Sequence, residues 1–392
     1  MKYIDQVEMN GKKVFLRVDF NVPIKEGRVT SDTRVRAHIP TINYALERGA
    51  KLIIASHLGR PKGKRVEEMS LKPVAKALSA LIQREVVFMD ECVGAKVQAA
   101  VDKMKNGDII LLENLRFNPG EDKNDAAFAG ELASLCDIYI NDAFAVAHRA
   151  AASNSAITDH VKTCAAGFLL KNEFEYFKKA IVDPARPLAA LIGGAKVSDK
   201  IGVLENLIEK VDKMLVGGAM AFTFLKAQGL GVGKSLCEEE MLDIARKIMQ
   251  KAKEKKVEFL LPVDVACAAS AAADAESKIC SAKEIPADQM GLDIGPATIS
   301  LFSAALKGVK TIVWNGPLGM FELAPFSKGT FAMAVVVANA GALSIIGGGD
   351  TETAIKQAGQ SAKMSYISTG GGAFLELLEG KTLPGIAALD KC

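Results

Sequence analysis

The chain has 392 residues, of which 49% are apolar and 6% aromatic, and it carries 34 glycines. That length suits two domains of ordinary size rather than one core, and the composition favours an α/β protein with many tight strand-to-helix turns over a β-sandwich. A net charge of +3 excludes a bulk positive field that would recruit nucleic acid or an anionic membrane.

Taken in chain order, short apolar runs recur at 13–18, 51–55, 86–88, 108–112 and 137–140 in the first half. In the second half they fall at 188–192, 213–216, 257–261, 310–314, 343–346 and 365–367. Most end in turn chemistry and lead into a helical pattern. Strands alternating with helices predict parallel sheets covered on both faces, with right-handed crossovers. Ten or more strands divide into two open, doubly wound sheets. An eight-stranded barrel is the rival, but the two halves differ too sharply in loop chemistry for it. The segment 170–182 reads as a helix stopped by Pro184 and Pro187, which places the domain boundary in or after it. The Ala-rich stretch 266–275 reads as a surface helix or loop.

Seven scattered cysteines, none in a Cys-x-x-Cys pair, argue against a disulfide framework or structural zinc and for a reducing cytoplasm. The N-terminal residues lack the apolar core of a signal peptide. The most apolar later run, 331–338, is too short to span a bilayer.

In open α/β sheets ligands sit beyond the carboxyl ends of the strands, so the residues just after each run are the informative ones. In the first half they are polar and basic. Asp19 and Asn21 follow the first run, with Arg34 in the next segment. Ser56-His57-Leu58-Gly59-Arg60 follow the second, Arg116 lies in Glu113-Asn114-Leu115-Arg116-Phe117, and Arg149 comes after Asn141-Asp142-Ala143-Phe144. Each arginine alone reads most simply as a surface charge. Guanidinium forks repeated after successive strands instead suit a small, multiply anionic ligand. His38 and His160 lack such company and read as structural.

In the second half the strand ends are glycine turns: Gly193-Gly194, Gly217-Gly218, Asn315-Gly316-Pro317, Gly347-Gly348-Gly349-Asp350-Thr351 and Gly370-Gly371-Gly372. Glycine lets backbone approach a ligand, and the amides at a following helix start can cradle phosphate. Lys196 and Lys200, four apart, would share a face if helical. Asp350 offers a carboxylate for Mg²⁺ on nucleotide phosphates. The segment 229–235, GLGVGKS, approaches a phosphate-loop pattern but is one residue short and follows a helical stretch, so it reads as a helix-end loop.

Assembled in order, RVDFNVP, SHLGRP, ENLRF, NDAF, AHRA, GGAKVSDK, WNGP, GGGDT, STGGGA and LPGI give a chain that resembles the phosphoglycerate kinases over essentially its whole length. The resemblance implies a 3-phosphoglycerate or 1,3-bisphosphoglycerate site at Asp19, Asn21, Arg34, His57, Arg60, Arg116 and Arg149, within residues 1–170. It implies a helix at 171–184 and a nucleotide domain at 185–375, with 376–392 returning to the first domain. ATP or ADP with Mg²⁺ would be held by Lys196, Lys200, Asn315, Glu322, Asp350 and Thr351 and the glycines 193, 194, 217, 218, 348 and 349, the metal by Asp350. Arg34, Lys196, Lys200, Gly371 and Gly372 would stabilise the transferring phosphoryl group. A monomeric, hinge-bending, cytoplasmic enzyme of glycolysis and gluconeogenesis is the expectation. The sequence departs from the family pattern at Ala145-Val146, Ala151 and Ala297, none a core catalytic position. A nicotinamide-dependent oxidoreductase would need a dinucleotide fingerprint that is missing. A two-lobed solute-binding protein would need an export signal. Another acyl-phosphate kinase is the nearest alternative, to be separated by acceptor preference.

Overall fold

A computed structural model describes all residues, Met1–Cys392. The chain divides into two compact units, one formed by Met1–Phe174 with Thr382–Cys392, the other by Glu175–Lys381.

The first unit is built on a six-stranded parallel sheet. Its strands are β1 (Lys13–Arg17), β4 (Lys51–Ala55), β5 (Val87–Phe88), β6 (Ile109–Leu111), β7 (Ile138–Asn141) and β8 (Cys164–Ala166), in the order β5-β6-β4-β1-β7-β8. A two-residue-stranded hairpin, β2 (Ile24–Lys25) and β3 (Arg28–Val29), lies in the loop after β1. β1, β6 and β7 are almost wholly buried, which is why they read as continuous apolar runs rather than alternating ones. One face of the sheet packs Val14, Leu16, Leu52 and Ile54 against the helices Thr33–Glu47 and Lys72–Ile82 in a single core. The helix Pro384–Lys391 closes this unit: the Gly385 N–H donates to the Ala147 carbonyl at 2.9 Å.

The second unit carries β9 (Leu188–Ile192), β10 (Lys213–Val216), β11 (Glu258–Leu260), β15 (Thr311–Asn315), β16 (Leu343–Gly347) and β17 (Tyr366–Ile367). They form a second parallel sheet in the order β11-β10-β9-β15-β16-β17. The fold class expected from strand–helix alternation is therefore the one found, and the barrel is excluded. Trp314, the only tryptophan, is fully buried beside Leu191 and Ile346, and its indole N–H donates to the Gly316 carbonyl at 2.8 Å.

Two expectations need correcting. Of the Ala-rich stretch 266–275, residues 269–275 are surface loop, but 266–268 are the end of the buried strand β12 (Asp264–Ala268), the centre of a small antiparallel sheet with β13 (Lys278–Ser281) and β14 (Met290–Ile294). Packing of small side chains under Phe222 and Leu225 overrides the low strand preference of alanine. Cysteine scatter also hid a pair: Cys164 and Cys392, 228 residues apart in sequence, form a disulfide, while the other five are free thiols.

Candidate active site

In the first sheet the chain leaves β1 toward β4 on one side and later enters β7 on the other, so the loops after these strands part around a reversal point of the kind at which open α/β sheets bind ligands. The loops are tied together there. The Phe20 N–H donates to Ser56 Oγ at 2.8 Å, and the Gly59 N–H donates to Asn21 Oδ1 at 3.0 Å. Arg116 Nη1 donates to the Gly59 carbonyl at 2.8 Å and its Nε to Asp122 at 3.2 Å. Asp19 accepts the Asn21 N–H on Oδ1 and Arg34 Nη1, at 2.8 Å, on Oδ2. Below it His38, read as structural, is buried: its Nε2 accepts the Asp19 N–H at 3.0 Å, so Nδ1 carries the hydrogen and donates to Asp142 at 2.9 Å.

His57 is buried at the centre of this group. Burial, then the charges of Arg17, Arg116, Arg34 and Arg149, hold its pKa well below the usual histidine range, so the imidazole is neutral near pH 7. Arg17 Nη2 lies 3.4 Å from His57 Nδ1. A guanidinium only donates, so Nδ1 must accept and the ring hydrogen sits on Nε2. Asp19, Asn21, Arg34, His57 and Arg116 are thus joined by contact, and Arg149 through its charge on His57; Arg149 Nε also contacts His148 Nε2 at 3.3 Å. Arg60 is exposed at the outer end of its loop and stands outside this lattice. Arg17 escaped the sequence reading because it is the last residue of β1 rather than a residue after it.

The second sheet reverses between β9 and β15, and the glycine turns meet there. Gly193 N–H donates to the Asn315 carbonyl (2.9 Å), Gly194 N–H to Pro317 (3.0 Å) and Gly218 N–H to Leu318 (3.0 Å). Gly316 has φ +95°, and a Cβ on it would lie 2.1 Å from the Gly193 carbonyl oxygen; only glycine fits. Gly217 packs directly on Leu318. Lys200 Nζ donates to Asn315 Oδ1, and Asn315 Nδ2 donates to the Gly347 carbonyl at 2.8 Å. Burial lowers the Lys200 pKa, opposed by Asp199, Asp350 and Glu379.

Lys196 and Lys200 do not share a helix face. Residues 195–200 form a turn, and Lys200 is the N-cap of the helix Ile201–Ile208. Lys196 is exposed and Lys200 half-buried. Asp350 lies exposed in the first turn of the helix Gly349–Gln357, whereas Thr351 is buried and accepts the Gly316 N–H at 2.8 Å, which makes it a brace for the loop. Gly371 opens the helix Gly371–Leu378, 3.4 Å from Gly348 by the position its Cβ would take, so two helix starts adjoin. A cavity of about 470 Å³ lies among these turns, with Asp350 and Glu322 on its wall. Leu236, Met290 and Met320 give it an apolar side, and Lys234 joins them. The GLGVGKS segment is thus a helix-end loop whose far end lines the cavity, a role its pattern did not disclose. No three His, Cys, Asp or Glu side chains gather to hold a metal by themselves. A single carboxylate beside a phosphate cradle is still the donor set that suits Mg²⁺ shared with a nucleotide.

A cluster of arginines around His57 in one α/β unit and lysine-bearing glycine turns in the other suit a phosphotransferase. Comparison with known proteins narrows it. The family described as "Phosphoglycerate kinase" matches residues 4–381. A phosphoglycerate kinase of Geobacter metallireducens is 58% identical over 393 residues, covering 100% of this chain and 99% of the relative. The solved phosphoglycerate kinase of Coxiella burnetii superposes with a TM-score of 0.93 at 44% identity, covering 99% and 98% of the two chains. That of Pyrococcus horikoshii gives 0.84 at 32% identity, covering 100% and 98%. The chain belongs to the phosphoglycerate kinase family, and its reaction is reversible phosphoryl transfer between 1,3-bisphosphoglycerate and ADP, in glycolysis.

Proposed function

We propose that the first unit holds the phosphoglycerate and the second the magnesium nucleotide. The observation that carries this reading is the contrast between four guanidiniums grouped on His57 in one sheet and a glycine cradle with Lys200 in the other. Asp19, Asn21, His57, Arg60, Arg116 and Arg149 bind the acid, and Arg34 turns from Asp19 to the migrating phosphoryl group. The glycines at 193, 194, 217, 218, 348 and 349 with Asn315, Glu322 and Thr351 shape the nucleotide site.

In the ATP-consuming direction the acceptor is a carboxylate, already ionised, so no general base is needed. The neutral His57 accordingly serves as a hydrogen-bond donor through Nε2 and not as a base. What remains is to align two anions and neutralise charge on the transferring group. Arg34, Lys196 and Lys200, with the Gly371 and Gly372 amides, carry that load. Asp350 would hold Mg²⁺, which when bound screens the nucleotide phosphates. Direct transfer requires the reacting atoms to meet, so the two units move during the cycle. A cytoplasmic monomer active also in gluconeogenesis completes the reading; no helix is long and apolar enough to cross a membrane. A coupled assay with Mg-ATP and 3-phosphoglycerate against acetate and aspartate tests it. Preference for either rival acceptor would overturn the substrate assignment.

A further inference from the structure

We propose that Glu121 is a positioning residue for the acid site. Through Ser153 and Arg17 it keeps His57 in one tautomer, with Nδ1 as acceptor and the Nε2–H available on the Asp19 side of the ring. The inference rests on the assignment of 3-phosphoglycerate to the first unit.

Glu121 lies in the loop after Phe117, next to the Asp122 that holds Arg116 but with no hydrogen bond or ion pair to a predicted ligand residue of its own, and its side chain is 1% exposed. A carboxylate that deeply buried is tolerated only with partners. It has them on both oxygens. Oε2 accepts the Ser153 N–H at 3.0 Å, and Oε1 accepts the Ser153 hydroxyl at 2.6 Å. With its hydrogen given to the carboxylate, that hydroxyl can only accept from Arg17, whose Nε lies 2.7 Å away. Arg17 Nη2 also lies 3.8 Å from Glu121 Oε1, an ion pair in which the guanidinium is 2% exposed. Nη1 donates to the Val18 carbonyl.

Every nitrogen of the fork is therefore engaged, and the one direction left to Nη2 is His57 Nδ1. The His57 Nε2 lies 4.0 Å from Asp19 Oδ1, on the side where Asn21 and Arg34 also meet Asp19. The order of dependence is clear: Glu121 orients Ser153 and Arg17, Arg17 orients the imidazole, and the imidazole presents its N–H. At metal sites, partners one shell behind the ligands change affinity or activity by about 10–100-fold when removed, and the lower end of that range sets the scale expected here.

Glu121→Gln keeps an acceptor for one Ser153 donor but removes the charge that holds Arg17 and adds a competing NH₂. In the full-length enzyme we expect KM for 3-phosphoglycerate to rise about tenfold, with KM for Mg-ATP within about twofold of wild type. The ¹⁵N shifts of the His57 ring should move away from the pure Nε2–H pattern. Should Glu121→Gln fail to fold, Ser153→Ala breaks the same relay with less loss of charge compensation and is expected to act in the same direction. A variant with unchanged His57 shifts and unchanged KM for 3-phosphoglycerate would overturn the proposal. So would a parallel rise in both KM values without a tautomer change, because that is general loosening. Absence of 3-phosphoglycerate turnover in the wild-type enzyme would sink the ligand assignment and this inference with it. Wild-type turnover with an indifferent Glu121→Gln sinks this inference alone.

Discussion

Arg34 is tethered and open at once: its Nη1 is 2.8 Å from Asp19, yet 44% of its side chain is exposed. Such a group can be drawn toward charge that appears only during transfer. An interaction made chiefly in the transition state is lost in kcat, whereas uniform binding is lost in KM. Arg34→Ala is expected to cut kcat by about 10²–10³ with a smaller change in KM for 3-phosphoglycerate, the usual cost of one such donor. Arg34→Lys is also expected to be impaired, since an ammonium lacks the planar fork. Arg60, exposed on the His57 loop, is expected to do the reverse: Arg60→Ala raises KM and spares kcat. Steady-state kinetics on folded variants decides both; near-normal turnover of Arg34→Ala at saturation would remove it from the chemistry. Asp350→Asn should raise the magnesium concentration needed for half-maximal rate without altering the fold, and an unchanged magnesium titration would dismiss it as the metal ligand. At this scale most of the candidate acid site was legible, because its residues follow strands. Arg17, Ser153 and Glu121 were not, since their importance lies in whom they touch across 136 and 32 positions of sequence.

Among the elements, β14 shows what local patterns conceal. Its sequence, MGLDI, places Asp293 in a strand and buries it, with Gly319 and Gly329 pressed against the carboxylate. Oδ2 accepts the Gly329 N–H at 2.6 Å at the start of the helix Lys328–Ala338, and Oδ1 accepts the Ile294 N–H at 2.9 Å. Burial nevertheless dominates and pushes the pKa from an ordinary 3.8 up to about 7. The folded state therefore holds this proton more tightly than the unfolded chain. Its stabilising effect is complete below about pH 4 and is lost as pH rises through about 7. Urea unfolding of wild type and Asp293→Asn between pH 4 and 8 should show the variant with a flatter profile. Parallel profiles would mean that Asp293 does not titrate in this window. The three-stranded sheet was illegible for a related reason. Its central strand, DVACA, has little β-branched character and is held by Phe222 and Leu225 packing on it, which no run of neighbours announces. The long parallel strands, by contrast, are buried on both faces and so advertise themselves as unbroken apolar runs.

For the molecule as a whole, the proposed division of ligands has a measurable consequence. If acid and nucleotide bind different units, the reacting atoms must come within about 3–3.5 Å for direct transfer. Both ligands together are then expected to reduce the radius of gyration more than either alone. Small-angle scattering of the free, singly and doubly liganded protein measures this, and one value across all four states would rule out a large closure.

The segment Thr382–Cys392 belongs to the first unit although the whole of the second unit precedes it in the chain. Gly385 sits against Asn154, and Asn154 Nδ2 in turn holds the carbonyls of Val146 (3.0 Å) and Arg149 (2.7 Å). Synthesis on the ribosome is vectorial, and domains generally fold as they emerge. The first sheet can form early, but the Gly385–Ala147 hydrogen bond and the packing of Gly385 on Asn154 are made only after the whole of the second unit has been translated. The half of the enzyme made first is therefore the half finished last.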